Sequence, residues 1–243
     1  MSFLITQHKS PDEIKAVVAR LGAATMRPSS HGYKDFGQVS ILEAAKKQAR
    51  INLSNGDSTP AAIRLMAVVL AANRDYNKQV EPHVKRMANE MPHLTFEQLH
   101  KLVASMNYVE FKKVWGHKDE KKFNLLSDLL NAIEQFMEPG QSDLDAMTQW
   151  AKAANTSDRT VGPFANIPNF GIATRQHLRI VFGADTVKPD QRVKEVIDRE
   201  FGVKTSSEKA IQIVEEIAEI TGYLTTEIDQ IFVKYGSGYY VKD

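Results

Sequence analysis

Apolar side chains recur at the three- and four-residue spacing of an α-helix along most of this chain. Near the N-terminus, Ile14, Val17, Val18 and Leu21 follow the segment Ser10–Glu13, which offers an N-cap serine, a first-turn proline and a capping-box glutamate. The pattern predicts eleven helices: a first that ends at Gly22, and others over residues 39–53, 59–70, 79–91, 96–106, 120–137, 144–154, 172–182, 191–201, 208–221 and 226–235.

Strand signals are nearly missing from the same pattern. No segment sustains the period-two alternation of a β-strand, apart from a short extended piece at the C-terminus. Two further pairs, Thr95 with Gln98 and Ser142 with Asp145, predict helix starts. We therefore predict an all-α fold to which the whole chain belongs.

The distribution of charged residues along the chain is informative, whereas the net charge is not. The chain has 243 residues and a formal net charge of +1. Between Lys152 and Lys194 there are seven Lys or Arg against three acidic residues, whereas Ser206–Asp243 has three against seven. A local basic region lets a protein bind phosphate without an extreme isoelectric point.

Composition excludes several classes of site. The chain has no cysteine, which excludes disulfides, thiolate zinc sites and a cysteine-held iron–sulfur cluster. His83, His93, His100 and His117 lack zinc spacing with carboxylates, so we predict no metal site. No apolar run approaches the roughly 20 residues of a membrane span, and the N-terminus does not read as a signal peptide. We expect a cytoplasmic, monomeric protein with no membrane contact.

Candidate chemistry concentrates in the turn Ile167–Gly171, which joins a helix ending near Ala154 to the next helix. Asn169 and Gly171 are residue types that tolerate positive φ, so a tight turn is expected here. Such a turn exposes backbone N–H groups at a helix start, where they bind phosphate directly or through a cation. Arg175 and Arg179, one turn apart on the following helix, are expected to hold flanking phosphates.

This segment resembles the hairpin of the helix-hairpin-helix DNA glycosylase superfamily, which includes endonuclease III. The usual family sequence is Leu-Pro-Gly-Val-Gly-x-x-Thr, and this chain has Ile-Pro-Asn-Phe-Gly-Ile-Ala-Thr174. Downstream, Val181–Gly183 followed by Thr186–Val193 resembles the place where an aspartate opens the next family helix. The helix that ends at Asn73, the segment that starts at Lys118 and the last helix, Thr226–Gly236, also resemble family elements. The resemblance covers residues 40–236.

The resemblance implies a two-lobed fold. One lobe is a helical barrel over residues 58–175, the other combines residues 1–57 and 176–243, and a lesion pocket lies between them. It implies binding to double-stranded DNA, base flipping, and hydrolysis of the glycosidic bond with Asp190 as the carboxylate. The implied DNA contacts are Ile167, Asn169, Phe170, Gly171, Ala173, Thr174, Arg175, Arg179, Asn73, Arg74 and Lys188. Asn73 would fill the gap left by the flipped base.

Departures from the family pattern narrow the predicted activity. Bifunctional members carry a lysine where this chain has Ala173, so the resemblance implies a monofunctional enzyme that leaves an abasic site. Lys188 is a weaker candidate for an amine nucleophile. The resemblance implies no cofactor, and it allows a potassium or sodium ion at the hairpin.

Several alternatives remain open from the residues alone. Asp190 after Pro189 is also an ordinary helix N-cap, Asn73 a C-cap, and Arg175 with Arg179 a solvent-facing pair. The lysines between Lys112 and Lys122 are typical of a solvated face. The aromatic residues Phe111, Trp115, Phe123 and Trp150 are expected in the core. A non-catalytic helix-hairpin-helix DNA-binding protein is the main alternative function, and a protein–protein module that uses the acidic C-terminal lobe is a third.

Overall fold

A computed structural model describes residues 4–28, 30, 36–55, 58–154 and 162–241. Within these ranges the regular structure is helical, and the only β-type pairs are two isolated bridges, Thr25 with Ser40 and Met26 with Tyr240. The all-α prediction is confirmed. The expected extended piece at the C-terminus contributes one bridge. In the same ranges, no helix combines the length and the hydrophobicity needed to cross a lipid bilayer.

Most of the helices follow one another with short connections, and the two longest connections come before Ile41 and Ile172. In chain order they are α1 (Pro11–Ala23), α2 (Ile41–Leu53), α3 (Ala61–Ala71), the single turn α4 (Tyr76–Gln79), α5 (Glu81–Glu90), α6 (Phe96–Ala104), α7 (Tyr108–Trp115), α8 (Glu120–Phe136), α9 (Asp143–Ala153), α10 (Ile172–Val181), α11 (Gln191–Phe201), α12 (Ser207–Thr221) and α13 (Thr225–Gly236).

Side-chain caps explain where many of these helices start. The hydroxyl groups of Ser10, Thr95 and Ser142 each accept a hydrogen bond from the backbone N–H three residues later, as the sequence predicted. Helix α7 was not predicted, although Asn107 and Glu110 form a capping box at its start. Because α7 has only eight residues, its apolar positions are too few to establish a helical period.

One of the two compact units combines both ends of the chain, Met1–Gly56 and Ala184–Asp243. Helix α13 packs against α1, α2, α11 and α12, and the apolar faces of these helices form the core of the unit. The carboxylate of Glu216, buried on α12, accepts hydrogen bonds from the N–H groups of Leu4 (2.7 Å) and Ile5 (2.9 Å). It thereby anchors the residues before α1.

The other unit, Asp57–Gly183, contains α3 to α10. Its central helix is α3, in which every residue is buried, against α5, α6, α8, α9 and α10. The sequence placed the lobe boundaries after residues 57 and 175; the first lies at residues outside the described ranges. The second unit extends to Gly183 and so contains the whole of α10.

Candidate nucleic-acid interface

The turn before α10 is a tight β-turn over Ile167–Phe170. The N–H of Phe170 donates to the carbonyl oxygen of Ile167 at 3.3 Å, and Asn169 has a φ of 61°. Proline at the second position and a left-handed residue at the third are the features of a type II turn. Asn169 thus has the positive φ that its residue type suggested. Gly171 does not, since its φ of −72° and ψ of 169° are those of ordinary extended backbone.

Gly171 is the N-cap of α10, and none of the described side chains caps this helix start. The first hydrogen bond of the helix runs from the Arg175 N–H to the Gly171 carbonyl oxygen, at 2.9 Å. The N–H groups of Ile172, Ala173 and Thr174 therefore come before the first intrahelical bond, at the positive end of the helix dipole. A Cβ atom built on Gly171 would meet no atom within 4 Å. The turn is chemically suited to receive an anion.

An aromatic cluster supports the turn from inside the unit. It consists of Phe136, Trp150, Phe164 and Phe170, with the Phe164 ring edge-to-face with each of the other three at centroid distances of 5.5, 4.6 and 6.0 Å. Trp150 is a core residue, as predicted, and so are Phe111 and Trp115. Phe170, predicted among the DNA contacts, has its ring buried in this cluster. Its side chain therefore holds the turn in place and does not face a ligand.

Arg175 and Arg179 also lie inside the unit, with only 4% and 8% of their surface exposed. Arg175 donates to the Phe164 carbonyl oxygen at 2.6 Å, and its guanidinium group lies 5.0 Å from the centroid of the Phe170 ring. Arg179 donates through Nε to the Ala151 carbonyl oxygen at 3.0 Å. These contacts correct the predicted phosphate-binding pair, and the solvent-facing alternative as well. The arginines are buried because α10 packs on α3 and α9.

The predicted wedge residue Asn73 and the predicted DNA contact Arg74 directly follow the C-terminal end of α3. Asn73 is exposed and has a φ of 59°, which is typical of the residue that ends a helix. The Arg74 Nη2 lies 2.6 Å from Nδ1 of His117. Burial, and secondarily the charge of Arg74, lowers the pKa of His117, which favours a neutral ring whose Nδ1 accepts this hydrogen bond.

The side chain of Lys122 binds the carbonyl groups at the C-terminal end of α3. Its Nζ donates to the carbonyl oxygens of Val69 (2.9 Å), Leu70 (3.2 Å) and Ala72 (2.6 Å). Burial and the nearby charge of Arg74 lower the pKa of Lys122 to about 8. The solvated face predicted for the lysine run is therefore wrong for Lys122, whereas the other lysines of the run are exposed. Sequence reasoning missed this contact of Lys122 with the end of α3.

Asp190 lies in the first unit as the N-cap of α11. Its Oδ1 accepts hydrogen bonds from the N–H groups of Arg192 (3.0 Å) and Val193 (3.2 Å), which confirms the N-cap interpretation. Its catalytic role stays a prediction. The Asp190 N–H donates to the Lys188 carbonyl oxygen at 2.7 Å, and both residues are partly exposed.

The structure assigns the predicted residues to two groups. The residues of 167–179, together with Asn73 and Arg74, belong to the second unit, and Lys188 and Asp190 to the first. Side chains of α13 that were given no role, above all Asp229, contact the segment before Asp190. Their sequence signal is weak, because a lone aspartate within a helix is most often solvent-exposed.

No family model matches this chain, and searches of curated proteins and of solved structures give no significant match.

Proposed function

We propose that this protein binds double-stranded DNA through the hairpin between α9 and α10, as a monofunctional DNA N-glycosylase of the helix-hairpin-helix kind. The observation that supports the proposal is the exposed type II turn that leads into an uncapped helix start. Backbone N–H groups at such a start bind a phosphate whatever the base sequence. They would set the position of the protein on the duplex.

The phosphate contact is assigned to the turn backbone at Asn169 and Gly171 and to the N–H groups of Ile172, Ala173 and Thr174 at the helix start. The side chains of Phe170, Arg175 and Arg179 support it from inside the unit, because all three are buried. Rigid support of the turn matters for phosphate binding, since backbone amides bind an anion well only when the protein already holds them in place.

Asp190 is assigned to the chemical step. Breaking a glycosidic bond develops positive charge on the sugar, which a nearby carboxylate stabilises while it orients the attacking water. Only Oδ1 of Asp190 accepts the two helix N–H groups, so the same carboxyl group can act as N-cap and catalyst. Ala173 offers no amine for a Schiff base, and the product would be an intact abasic site. Asn73 would fill the gap left by the flipped base.

The test is a panel of duplexes with uracil, 8-oxoguanine, an alkylated purine or an A·G mismatch, heated in alkali after incubation. Cleavage that requires alkali, and is lost in Asp190→Asn, is the expected result. Asparagine caps a helix about as well as aspartate, so this variant should fold normally. Asp198→Asn, exposed on the same helix, is the matched control and should remain active. Equal cleavage by wild type and Asp190→Asn would contradict the role of Asp190.

A non-catalytic DNA-binding protein is the second candidate. It is favoured by the engagement of the Asp190 carboxylate as an N-cap and by Ala173 in place of an amine. Binding to every duplex of the panel without cleavage of any would support this candidate over the glycosylase.

A further inference from the structure

Asp229 is a buried acid that the proposed chemistry does not use. It lies on α13 with 1% of its surface exposed. Its Oδ1 accepts a hydrogen bond from the Lys188 N–H at 3.0 Å, and its Oδ2 accepts one from Nε2 of Gln230 at 3.1 Å. Burying a carboxyl group is costly unless its oxygens find partners. The partner of Asp229 in the neighbouring segment is the backbone N–H of Lys188.

A short path of hydrogen bonds connects Asp229 to Asp190. The Lys188 N–H is bound by Asp229, and the Lys188 carbonyl oxygen accepts the N–H of Asp190 at 2.7 Å across Pro189. A hydrogen bond between residues two apart closes a three-residue turn. Both backbone polar groups of Lys188 are therefore hydrogen-bonded. Because Asp190 is bonded to Lys188 and is the N-cap of α11, the position of Lys188 sets the position of the start of α11.

Helix α13 holds the same segment at a second point. The Thr226 N–H donates to Oδ1 of Asp185 at 2.8 Å, and the Thr186 N–H donates to Oγ1 of Thr226 at 3.3 Å. Thr226 and Asp229 are three residues apart and so share one face of α13. This face fixes residues 185–188 at both ends.

We infer that Asp229 is a positioning residue, which holds Lys188 and thereby sets where the Asp190 carboxylate lies at the start of α11. The inference rests on the proposed function for what Asp190 does, and on the contacts of α13 for how Asp190 is held. A group that stabilises charge in a transition state must be held to within about 0.5 Å, which requires neighbours that are themselves fixed. Burial, helped by the negative charge of Asp190, raises the pKa of Asp229 to about 7, so the two carboxyl groups interact.

The first test needs no enzymatic activity. Asp229→Ala removes the acceptor for the Lys188 N–H, whereas Asp229→Asn keeps an oxygen there. Glu216→Ala is the matched control, because it removes another buried carboxylate of the same unit that binds backbone N–H groups. The measurements are amide hydrogen exchange at Lys188 and the amide NMR shifts of Arg192 and Val193, the donors to Asp190.

In Asp229→Ala we expect Lys188 to exchange at least about tenfold faster than in Glu216→Ala, with shifted Arg192 and Val193 resonances. Asp229→Asn should stay close to wild type. Equal exchange and unmoved resonances in Asp229→Ala and Glu216→Ala would overturn the inference. If Asp229→Ala does not fold, Asp229→Glu, which displaces the carboxyl group by one methylene, should shift the same two resonances. Unshifted resonances in that variant would also overturn it.

The second test separates this inference from the proposed function. On whichever duplex of the panel wild type cleaves, Asp229→Ala should lose at least about tenfold in the single-turnover excision rate, with unchanged affinity for DNA. Excision by Asp229→Ala at the wild-type rate would overturn the inference. If wild type cleaves no duplex, the proposed function fails, while the exchange and shift measurements still decide whether Asp229 positions Asp190.

Discussion

Arg179 shows how a single side chain can have two physically acceptable places. Its aliphatic stem and five N–H donors suit a surface that binds phosphate, and they suit equally the end of a helix whose last carbonyl groups lack partners. In this protein Arg179 binds the Ala151 carbonyl oxygen in the last turn of α9. The spacing of Arg175 and Arg179 could not decide between the two places. The packing of α10 on α3 and α9 decides it.

Arg179→Ala should therefore affect stability and not the number of phosphate contacts. We expect it to lower the free energy of unfolding by about 2–3 kcal/mol, because it leaves a buried carbonyl group without its charged donor. The salt dependence of DNA binding should keep its slope. Denaturant unfolding and affinity titrations over a range of salt concentrations measure both quantities.

Lys152→Ala is the control for this substitution, since Lys152 is exposed on α9. It should leave stability within about 0.5 kcal/mol of wild type. The contrary outcome is an Arg179→Ala protein of wild-type stability in which the slope of log affinity against log salt concentration falls by about 0.9, the value for one lost phosphate contact. That result would show that Arg179 contacts DNA.

At the scale of elements, the sequence predicted most helices because caps and apolar periods agree, as they do at Ser10, Thr95 and Ser142. It missed α7, whose eight residues are too short for a period. It also could not predict that Lys122 caps α3, because that contact joins residues about fifty positions apart. Such contacts depend on how α8 packs against α3, which no local pattern encodes.

Lys122→Met should loosen the end of α3. We expect a loss of about 2 kcal/mol in the free energy of unfolding, because three carbonyl groups lose a shared charged donor while the apolar stem is kept. Amide exchange should also accelerate at Asn73 and Arg74. Lys121→Met, exposed on the same helix, should change neither quantity. Equal stability of the two variants would show that Lys122 does not hold this helix end.

The whole molecule consists of two compact units. The second unit is one continuous segment, Asp57–Gly183, which lies in sequence between the two segments that form the first unit. Neither a composition shift nor a flexible linker marks the boundaries, so the sequence indicated two lobes only through family resemblance. The raised pKa of Asp229 is likewise beyond sequence reasoning. It depends on burial by helices from both ends of the chain and on the proximity of Asp190.

The buried acid should make stability depend on pH. The pKa of Asp229 is about 7 in the folded protein against 3.8 for an exposed aspartate, so between these values the folded state binds the extra proton. The stability that Asp229 contributes is full below pH 4 and falls as the pH rises to about 7, by at most about 1.4 kcal/mol per pH unit. Lys188 opposes the shift and Asp190 adds to it.

Asp229→Asn isolates this effect from all other titrating groups. The free energy of unfolding of wild type minus that of Asp229→Asn should decline from pH 4 to pH 7 and then level off. Urea unfolding at half-unit pH steps measures both curves. A difference that is flat, or that rises with pH, would contradict a raised pKa for Asp229.

Gly171→Ala tests whether the hairpin backbone binds DNA phosphate. Alanine adopts the backbone angles of Gly171 without strain, and its Cβ would meet no protein atom within 4 Å, so the melting temperature should not fall. The methyl group would instead occupy the space above the N–H groups where a phosphate approaches. The measurement is the Kd for a duplex with an abasic-site analogue, with Asn131→Ala, exposed on α8, as the control. We predict a Kd at least about tenfold weaker for Gly171→Ala, which corresponds to one lost charge-assisted contact. Wild-type affinity in a fully folded Gly171→Ala protein would contradict the hairpin as the DNA-binding element.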